Sequence, residues 1–437
     1  LNNFIKEKEE TVMKKICVIG LGYIGLPTSA IFARAGFEVV GVDVNEKVIH
    51  TLNEGNIHIE EPGLGEAVKE AVDSGNLRAS TKPEEADVFI IAVPTPVYED
   101  KTANTEYVAQ ATRDILPYLQ KGNTIIVEST IPPRTIDDVV APVLREANWD
   151  LEANDLLVSH CPERVIPGKI MDELIHNTRV VGGLTPEAAK KAADVYRAVV
   201  KGDIHETEAV TAEMSKLMEN TFRDVNIALA NELAKVSDKL DVNAHEVINF
   251  ANMHPRVNIL QPGPGVGGHC IAVDPYFIIE KAKEETPLMQ RAREINDSMP
   301  AFVVEQIEEL TQLKMSPKIA IFGLSYKANV DDVRESPAVT IARKLQNHEK
   351  GFTITCHDPF VKQDMTDLQL ESVEDALKDA DVALVLADHR QFKEMDPSLF
   401  AKYMKTPVVL DTRNCIKDHE GMTLYQIGHL TGLKPIE

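Results

Sequence analysis

The sequence predicts an α/β protein in which two parallel-sheet domains flank a long helical segment. Three observations carry this. Near the N-terminus, short apolar runs closed by Gly, Asp or Pro alternate with helical stretches; the same run-then-glycine pattern begins again near residue 318; and a long stretch free of Pro and Gly lies between them.

The first run is Lys15-Ile-Cys-Val-Ile19, closed by Gly20, with a helix over Thr28 to Ala35. Glu38 to Val42 follows, closed by Asp43, then Asp87 to Val93, closed by Pro94, and Asn123 to Glu128 before Ser129-Thr130. From Glu206 to Phe250 the apolar residues Met214, Met218, Phe222, Val225 and Leu229 recur at helical spacing, which predicts one long helix with a break near Asp241. A loop rich in Pro and Gly, Gln261 to Gly268, leads into Cys270, and helical segments run on to about Leu313. Strands are then predicted at Lys318 to Phe322, Thr353 to Asp358, Asp381 to Leu386 and Pro407 to Asp411, with a helix from about Pro337.

At 437 residues the chain exceeds one ordinary core, and domains of roughly 150 residues predict two or three. With 69 acidic against 46 basic side chains and no basic patch, the net charge of −23 argues against nucleic acid as a partner. An anionic small substrate stays open, since a few cations in a cleft outweigh distant, screened charge. No segment approaches the roughly 18 apolar residues of a membrane span. The five cysteines, 17, 161, 270, 356 and 415, are widely spaced with no CxxC pair, which favours a reducing cytosol over a disulfide scaffold and suggests no metal site. Residues 1–12 are polar, without the apolar core of a secretory signal, and read as an extension before a start at Met13.

The first loop reads Gly20-Leu-Gly22-Tyr23-Ile24-Gly25, a GxGxxG between strand and helix. Its glycines permit a tight turn and bring a pyrophosphate to the helix N-terminus, the fingerprint of a Rossmann domain. Asp43 ends the next strand, where a carboxylate accepts from ribose hydroxyls and repels a 2′-phosphate, so NAD is expected rather than NADP. Thr95 and Thr130 fall at the carboxyl edge of the sheet and are either strand-end caps or contacts to cofactor or substrate.

Cys270 differs from the other four cysteines by its glycine-rich approach and by Asp274 four residues on, in a segment that could open a helix. A thiol there is accessible and activated as a nucleophile, whereas Cys17, Cys356 and Cys415 read as packing residues. Lys216, Asn220 and Arg223 share one face of the long helix, as a solvated face or as part of a site.

These motifs together resemble the UDP-sugar 6-dehydrogenases, the relatives of UDP-glucose dehydrogenase, over essentially the whole chain from Met13. The shared residues are the GLGYIGLP loop, Glu128-Ser-Thr130, Pro162-Glu163, Lys216 with Asn220, Gly267-Gly268 before Cys270 with Asp274, and Lys327 with Arg334. The resemblance implies an NAD-binding Rossmann domain at 13–205, a central helical domain at 206–312 that carries the Cys loop and dimerises, and a Rossmann-like UDP-binding domain at 313–437. It implies a four-electron oxidation of a sugar CH2OH to a carboxylate through a thiohemiacetal and a thioester on Cys270. Lys216 and Asn220 would serve the oxyanionic intermediates, Asp274 the hydrolytic water, and Glu163 and Thr130 the same proton network. Tyr23, Ile24 and Thr95 would join the cofactor contacts. Tyr326, Lys327 and Gly267 would contact substrate, Arg334 cofactor or substrate, and Arg256 a neighbouring subunit's site in a homodimer.

Pro167-Gly168 and Val273 depart from the glucose enzymes, which carry a second glutamate and a lysine there. The wording Cys161-Pro-Glu-Arg-Val-Ile-Pro-Gly168, with His254-Pro-Arg256, is instead similar to the branch that oxidises UDP-N-acetyl-D-mannosamine, matching its substrate positions Arg164, Val165, Arg223, His254 and Arg256. UDP-N-acetylglucosamine is the near alternative sugar. A dehydrogenase making one hydride transfer and a catalytically silent NAD-binding regulator are the competing readings.

Overall fold

Thirteen strands form two sheets in a computed structural model that describes residues 14–268 and 270–436. The segment 1–12, Met13 and His269 lie outside the described residues. The chain divides into two compact units, one comprising the chain up to Met218 with Tyr276–Lys281, the other Glu219–Pro275 with the chain from Ala282 onward.

The first unit holds β1 (Lys15–Ile19), β2 (Glu38–Val42), β3 (Leu77–Ser80), β4 (Val88–Ile91), β5 (Thr124–Val127), β6 (Leu157–His160), β7 (Arg179–Gly183) and β8 (Ile204–Glu208), in the order β3-β2-β1-β4-β5-β6-β7-β8. All neighbours run parallel except β6 and β7. Strands predicted from apolar runs are the central ones, buried on both faces. Alternate side chains feed two cores, Cys17, Ile19, Phe89, Ile91, Ile125 and Val127 on one face and Ile16, Val18, Val88, Ile90 and Ile126 on the other.

In the second unit, β9 (Lys318–Phe322), β10 (Thr353–His357), β11 (Val382–Val385), β12 (Val408–Asp411) and β13 (Thr423–Gln426) form an all-parallel sheet in the order β10-β9-β11-β12-β13.

The two sheets repeat one design at the level of single bonds. Gly20 follows β1 with φ +94° and Gly323 follows β9 with φ +90°, a left-handed backbone that glycine adopts without steric cost. Their N–H groups bond Val42 O and His357 O, each at 2.8 Å. At the other end, Asp87 Oδ2 accepts from Lys15 N and Asp381 Oδ2 from Lys318 N, both at 3.0 Å, tying each first strand to the strand beside it.

The long helix runs from Ala209 to Leu240 and ends at Asp241, whose φ of +59° breaks the helical path; a second helix, Ala244–Asn252, follows with Asn243 as its N-cap. The predicted break at Asp241 is therefore present, but the predicted start is not. Glu206 to Glu208 belong to edge strand β8, whose alternating Ile204-His-Glu-Thr-Glu pattern carries too little apolar content to announce itself.

Candidate active site

Each glycine of the first loop has a separate reason. A Cβ on Gly20 would lie 2.4 Å from Ala92 O, and one on Gly25 would lie 1.8 Å from Gly20 O, whereas a Cβ on Gly22 would meet nothing within 4 Å. Two glycines thus permit close packing of strand and helix, and Gly22 leaves its outer side open to a ligand. The helix Gly25–Arg34 begins after Ile24 with no side-chain cap; Leu26 N bonds Gly22 O at 3.1 Å, Thr28 N bonds Ile24 O at 3.0 Å and Pro27 has no N–H, so what the turn offers an anion is the positive end of the helix dipole and the loop N–H groups that precede Leu26. Tyr23 is exposed and Ile24 half-buried beside them. Asp43 accepts from Leu21 N at 3.0 Å and Asn45 N at 2.9 Å, stays half-exposed, and retains lone pairs for a ribose. These residues fit NAD, whose nicotinamide ring accepts hydride when bound.

At the edge of β4 and β5, Thr95 Oγ1 donates to Thr130 O at 2.5 Å, which joins the two expected threonines. Glu163 is almost fully buried. It accepts from Arg164 N at 2.6 Å and pairs with buried Arg179 at 2.7 Å, while the Arg179 guanidinium stacks over Tyr196 at 5.0 Å. The Arg164 side chain reaches Thr178 O, and Val165 packs on the Ile31, Ile170 and Leu174 cluster. The segment after Glu163 is pinned by Glu61, which accepts from Gly168 N and Ile170 N, both at 2.8 Å.

Glu128, the residue after β5, feels the charges of both members of this pair. It accepts from Tyr196 OH at 2.7 Å and Thr28 Oγ1 at 3.1 Å, and burial, reinforced by Glu163 and opposed by Arg179, pushes its carboxyl up to about 7. Arg179, Tyr196 and Glu61 carried no motif in the sequence. They became visible only as partners of residues that did.

In the second unit, Cys270 is exposed and lies in the turn before the helix Asp274–Lys281, its carbonyl accepting from Asp274 N at 2.8 Å and Val273 N at 3.0 Å. The helix therefore opens at Asp274, four residues later than a thiol seated on its first turn would require. Asp274 is 3% exposed, and Asn220 of the long helix, 7% exposed, donates to its Oδ2 at 2.6 Å. Lys216 is half-buried one turn earlier on that helix, in the part belonging to the first unit; Arg223 is exposed one turn later.

The glycine-rich approach to Cys270 has a packing origin that differs from the open access expected of it. A Cβ on Gly267 would lie 2.5 Å from Glu335 O, and one on Gly268, at φ +81°, 2.7 Å from the Tyr326 ring. The loop is also held by buried Asn231, whose Oδ1 accepts from Gly263 N and whose Nδ2 donates to Asn296, both at 2.9 Å. Asn296 in turn bonds Asp224 at 2.8 Å, and Asp224 pairs with Arg293 at 2.5 Å.

Tyr326 packs on this loop, and burial, then the Asp332 carboxylate, holds its hydroxyl above the usual tyrosine range, so it stays a donor. Lys327 is exposed. Arg334 is forked on Asp332, Nε to Oδ1 at 2.9 Å and Nη2 to Oδ2 at 2.7 Å. His254 and Arg256 sit in an exposed turn after the helix Ala244–Asn252, with Arg256 N bonded to His254 Nδ1 at 3.3 Å. All five cysteines are free, and among the described residues no helix is long and apolar enough to cross a membrane.

Comparison with known proteins places each part of the chain. Residues 14–200 match the NAD binding domain of the UDP-glucose/GDP-mannose dehydrogenase family, 210–298 its central domain and 320–418 its UDP binding domain. The chain is 47% identical over 433 residues to a UDP-N-acetyl-D-mannosamine dehydrogenase of Methanocaldococcus jannaschii, covering 97% of this chain and 98% of that one. It is 45% identical over 414 residues to an NDP-N-acetyl-D-galactosaminuronic acid dehydrogenase of Ralstonia solanacearum, covering 92% and 96%. Among solved structures, the UDP-N-acetyl-mannosamine dehydrogenase Cap5O of S. aureus superposes with a TM-score of 0.88 at 50% identity, covering 95% of this chain and 99% of that one. The chain belongs to the UDP-glucose/GDP-mannose dehydrogenase family, NAD-dependent oxidoreductases with this α/β fold.

Proposed function

We propose that this protein oxidises C6 of UDP-N-acetyl-D-mannosamine to the carboxylate, with Cys270 as the covalent trap, and so makes the uronate precursor of surface polysaccharides in the cytosol. The observation that carries the chemistry is the exposed Cys270 in a turn headed by a buried Asp274 that Asn220 holds in place.

The substrate hydroxyl loses a proton and its carbon loses hydride, leaving an aldehyde. The Cys270 sulfur adds to the carbonyl carbon, giving a thiohemiacetal whose carbon again bears hydrogen and hydroxyl. A second hydride leaves, a thioester remains, and water cleaves it to carboxylate and free thiol. Each sugar thus consumes two NAD and one water. Lys216 stabilises the oxyanions with Asn220, and Asp274 orients the water. With Arg179 pairing Glu163, that carboxylate supports Arg164 and the substrate loop more readily than it exchanges protons. Gly20 to Gly25, Asp43, Thr95 and Thr130 hold the cofactor. Tyr326, Lys327 and Gly267 hold the UDP, Arg334 meets cofactor or substrate charge, and Arg164, Val165, Arg223, His254 and Arg256 meet the sugar.

The exposed Phe222, Leu229 and Val236 recur every seven residues on one face of the long helix, with Leu240 following, and supply the apolar surface of a homodimer.

The sugar is tested by NADH release with UDP-N-acetyl-D-mannosamine and UDP-N-acetyl-D-glucosamine in parallel. A kcat/KM at least about tenfold higher for the mannosamine is expected, the lower end of the roughly 10–200-fold by which a pocket separates substrates that differ in one small group. Equal or reversed values reject the sugar and leave the chemistry standing.

A further inference from the structure

The C-terminal sheet keeps the bonding of a dinucleotide domain but has turned its ribose acid inward. Asp43 and Asp358 occupy matching places after the second strand of each sheet. Asp43 Oδ2 accepts from Leu21 N at 3.0 Å, and Asp358 Oδ2 accepts from Leu324 N at 2.7 Å. Each also accepts on Oδ1 from the N–H two residues on, Asn45 N at 2.9 Å and Phe360 N at 2.8 Å, and beyond that the two diverge. Asp358 is 7% exposed and further accepts from Ser325 N at 3.3 Å, Val361 N at 3.0 Å and the His389 ring at 3.1 Å, so its lone pairs are consumed within the domain. The helix that follows β9 starts only at Pro337 and is capped by Ser336, whereas the one after β1 starts at Gly25 uncapped. The strand-to-helix connection has become a long excursion that carries Tyr326 and Lys327.

His389 holds that excursion. It is fully buried, with Phe360 and Phe392 each 5.1 Å from its ring. Its Nδ1 accepts from Asn329 N at 2.9 Å, so the proton of the neutral ring sits on Nε2, facing Asp358 Oδ2 and Ser325 Oγ, the latter at 3.3 Å. Ser325 Oγ donates to Lys327 O at 2.8 Å. Asn329 has φ +61° and its side chain accepts from Arg390 N at 2.9 Å. Tyr326 N bonds Asp332 O at 3.0 Å, while the bonds that anchor Ser325 and Asn329, on either side of Tyr326 and Lys327, go to His389, Asp358 or the residue next to His389.

We infer that His389 is a positioning residue for nucleotide binding: through Asn329 and Asp358 it fixes the backbone from which Tyr326 and Lys327 meet the UDP group. This rests on the reading of Tyr326 and Lys327 as UDP contacts. The test compares His389→Ala, His389→Asn and His389→Gln with Lys327→Ala in the full-length protein. Asn keeps an acceptor where Nδ1 stands, and Gln keeps a donor where Nε2 stands. Loss of the Asn329 bond should raise KM for the UDP-sugar by about tenfold in the Ala variant, with kcat and KM for NAD within about twofold of wild type, because misplacing a binding group costs affinity for its own ligand first. The Asn variant should recover most of that loss and the Gln variant less. Should the Ala variant not fold, the Asn and Gln pair alone decides, by calorimetric titration with UDP. Unchanged KM in folded variants, equal losses for Asn and Gln, or a parallel rise in KM for NAD would overturn the inference. If Lys327→Ala leaves KM unchanged, the UDP-contact reading fails instead.

Discussion

Asn220 Nδ2 donates to Asp274 Oδ2 at 2.6 Å, fixing a buried carboxylate at the head of the helix that the Cys270 turn begins. A bound carboxylate four residues beyond the proposed nucleophile suits the last stage of the proposed reaction, attack of water on a thioester. Asp274→Asn should therefore lower kcat by about 10²-fold, the usual scale for one general base, with little change in KM. Intact-mass measurement during turnover should show the substrate acyl group accumulating on Cys270. A variant with wild-type kcat would remove Asp274 from the chemistry.

On the proposed reading, Asp43 sets the cofactor choice. Replacing it by Asn retains an acceptor for Leu21 N but removes the carboxylate charge. KM for NAD should rise by about tenfold, the scale of a lost charge-assisted hydrogen bond, and the preference for NAD over NADP should shrink. Steady-state rates with both cofactors check this; an undiminished preference would place the discrimination elsewhere.

The Glu163–Arg179 pair is fully buried, so removing one partner strands the other. Glu163→Gln should cost about 3–5 kcal/mol of stability, read as a shift in the urea midpoint, because Arg179 would keep its charge without a carboxylate. A loss under 1 kcal/mol, the scale of an exposed pair, would show that another group takes over.

Glu128 and Glu213 are both raised by burial from 4.5 to about 7. The folded state therefore holds these protons more tightly than the unfolded chain, and their contribution to stability falls as pH climbs from about 4.5 to about 7. Glu128→Gln should flatten that slope, with a relative gain in urea midpoint at pH 8 and none near pH 4.5. An unaltered slope would mean that Glu128 ionises without cost.

The apolar face at Phe222, Leu229 and Val236 gives a further expectation. Phe222→Asp with Leu229→Asp should shift the protein from the proposed dimer to monomer by light scattering, while a dimer mass unchanged from wild type would place the interface elsewhere.

Strands β1, β2, β4, β5 and β9 to β12 and the glycine-rich loop were legible because their physics is local: apolar runs, glycines at close approaches, an acid at a strand end. The break at Asp241 was legible for the same reason. Edge strands β3, β8 and β13 were not, since half-solvated strands lose the apolar signal, and interior strands β6 and β7 were missed because Ser159-His160 and Arg179 with Gly182-Gly183 interrupt their apolar runs. Cys270 and Asp274 stood out by type and context, whereas Lys216 and Asn220 shared only a helix face until the family resemblance marked them, and the bond between Asn220 and Asp274 joins residues 54 apart and exists only once the long helix packs on the Cys loop. Arg179, Glu61, Asn231 and His389 escaped sequence reading altogether. Each acts through a partner distant in the chain, and none stands in a pattern that marks it.

The central claim is that one sugar carbon gives up four electrons through Cys270. Its most direct test is the number of NADH molecules formed per UDP-N-acetyl-D-mannosamine consumed, measured with limiting sugar in the wild type and in Cys270→Ala, with the acid product assayed in both. Two NADH per sugar for the wild type, and no acid from the variant, is the predicted result. One NADH per sugar, or acid formed without the thiol, would contradict it.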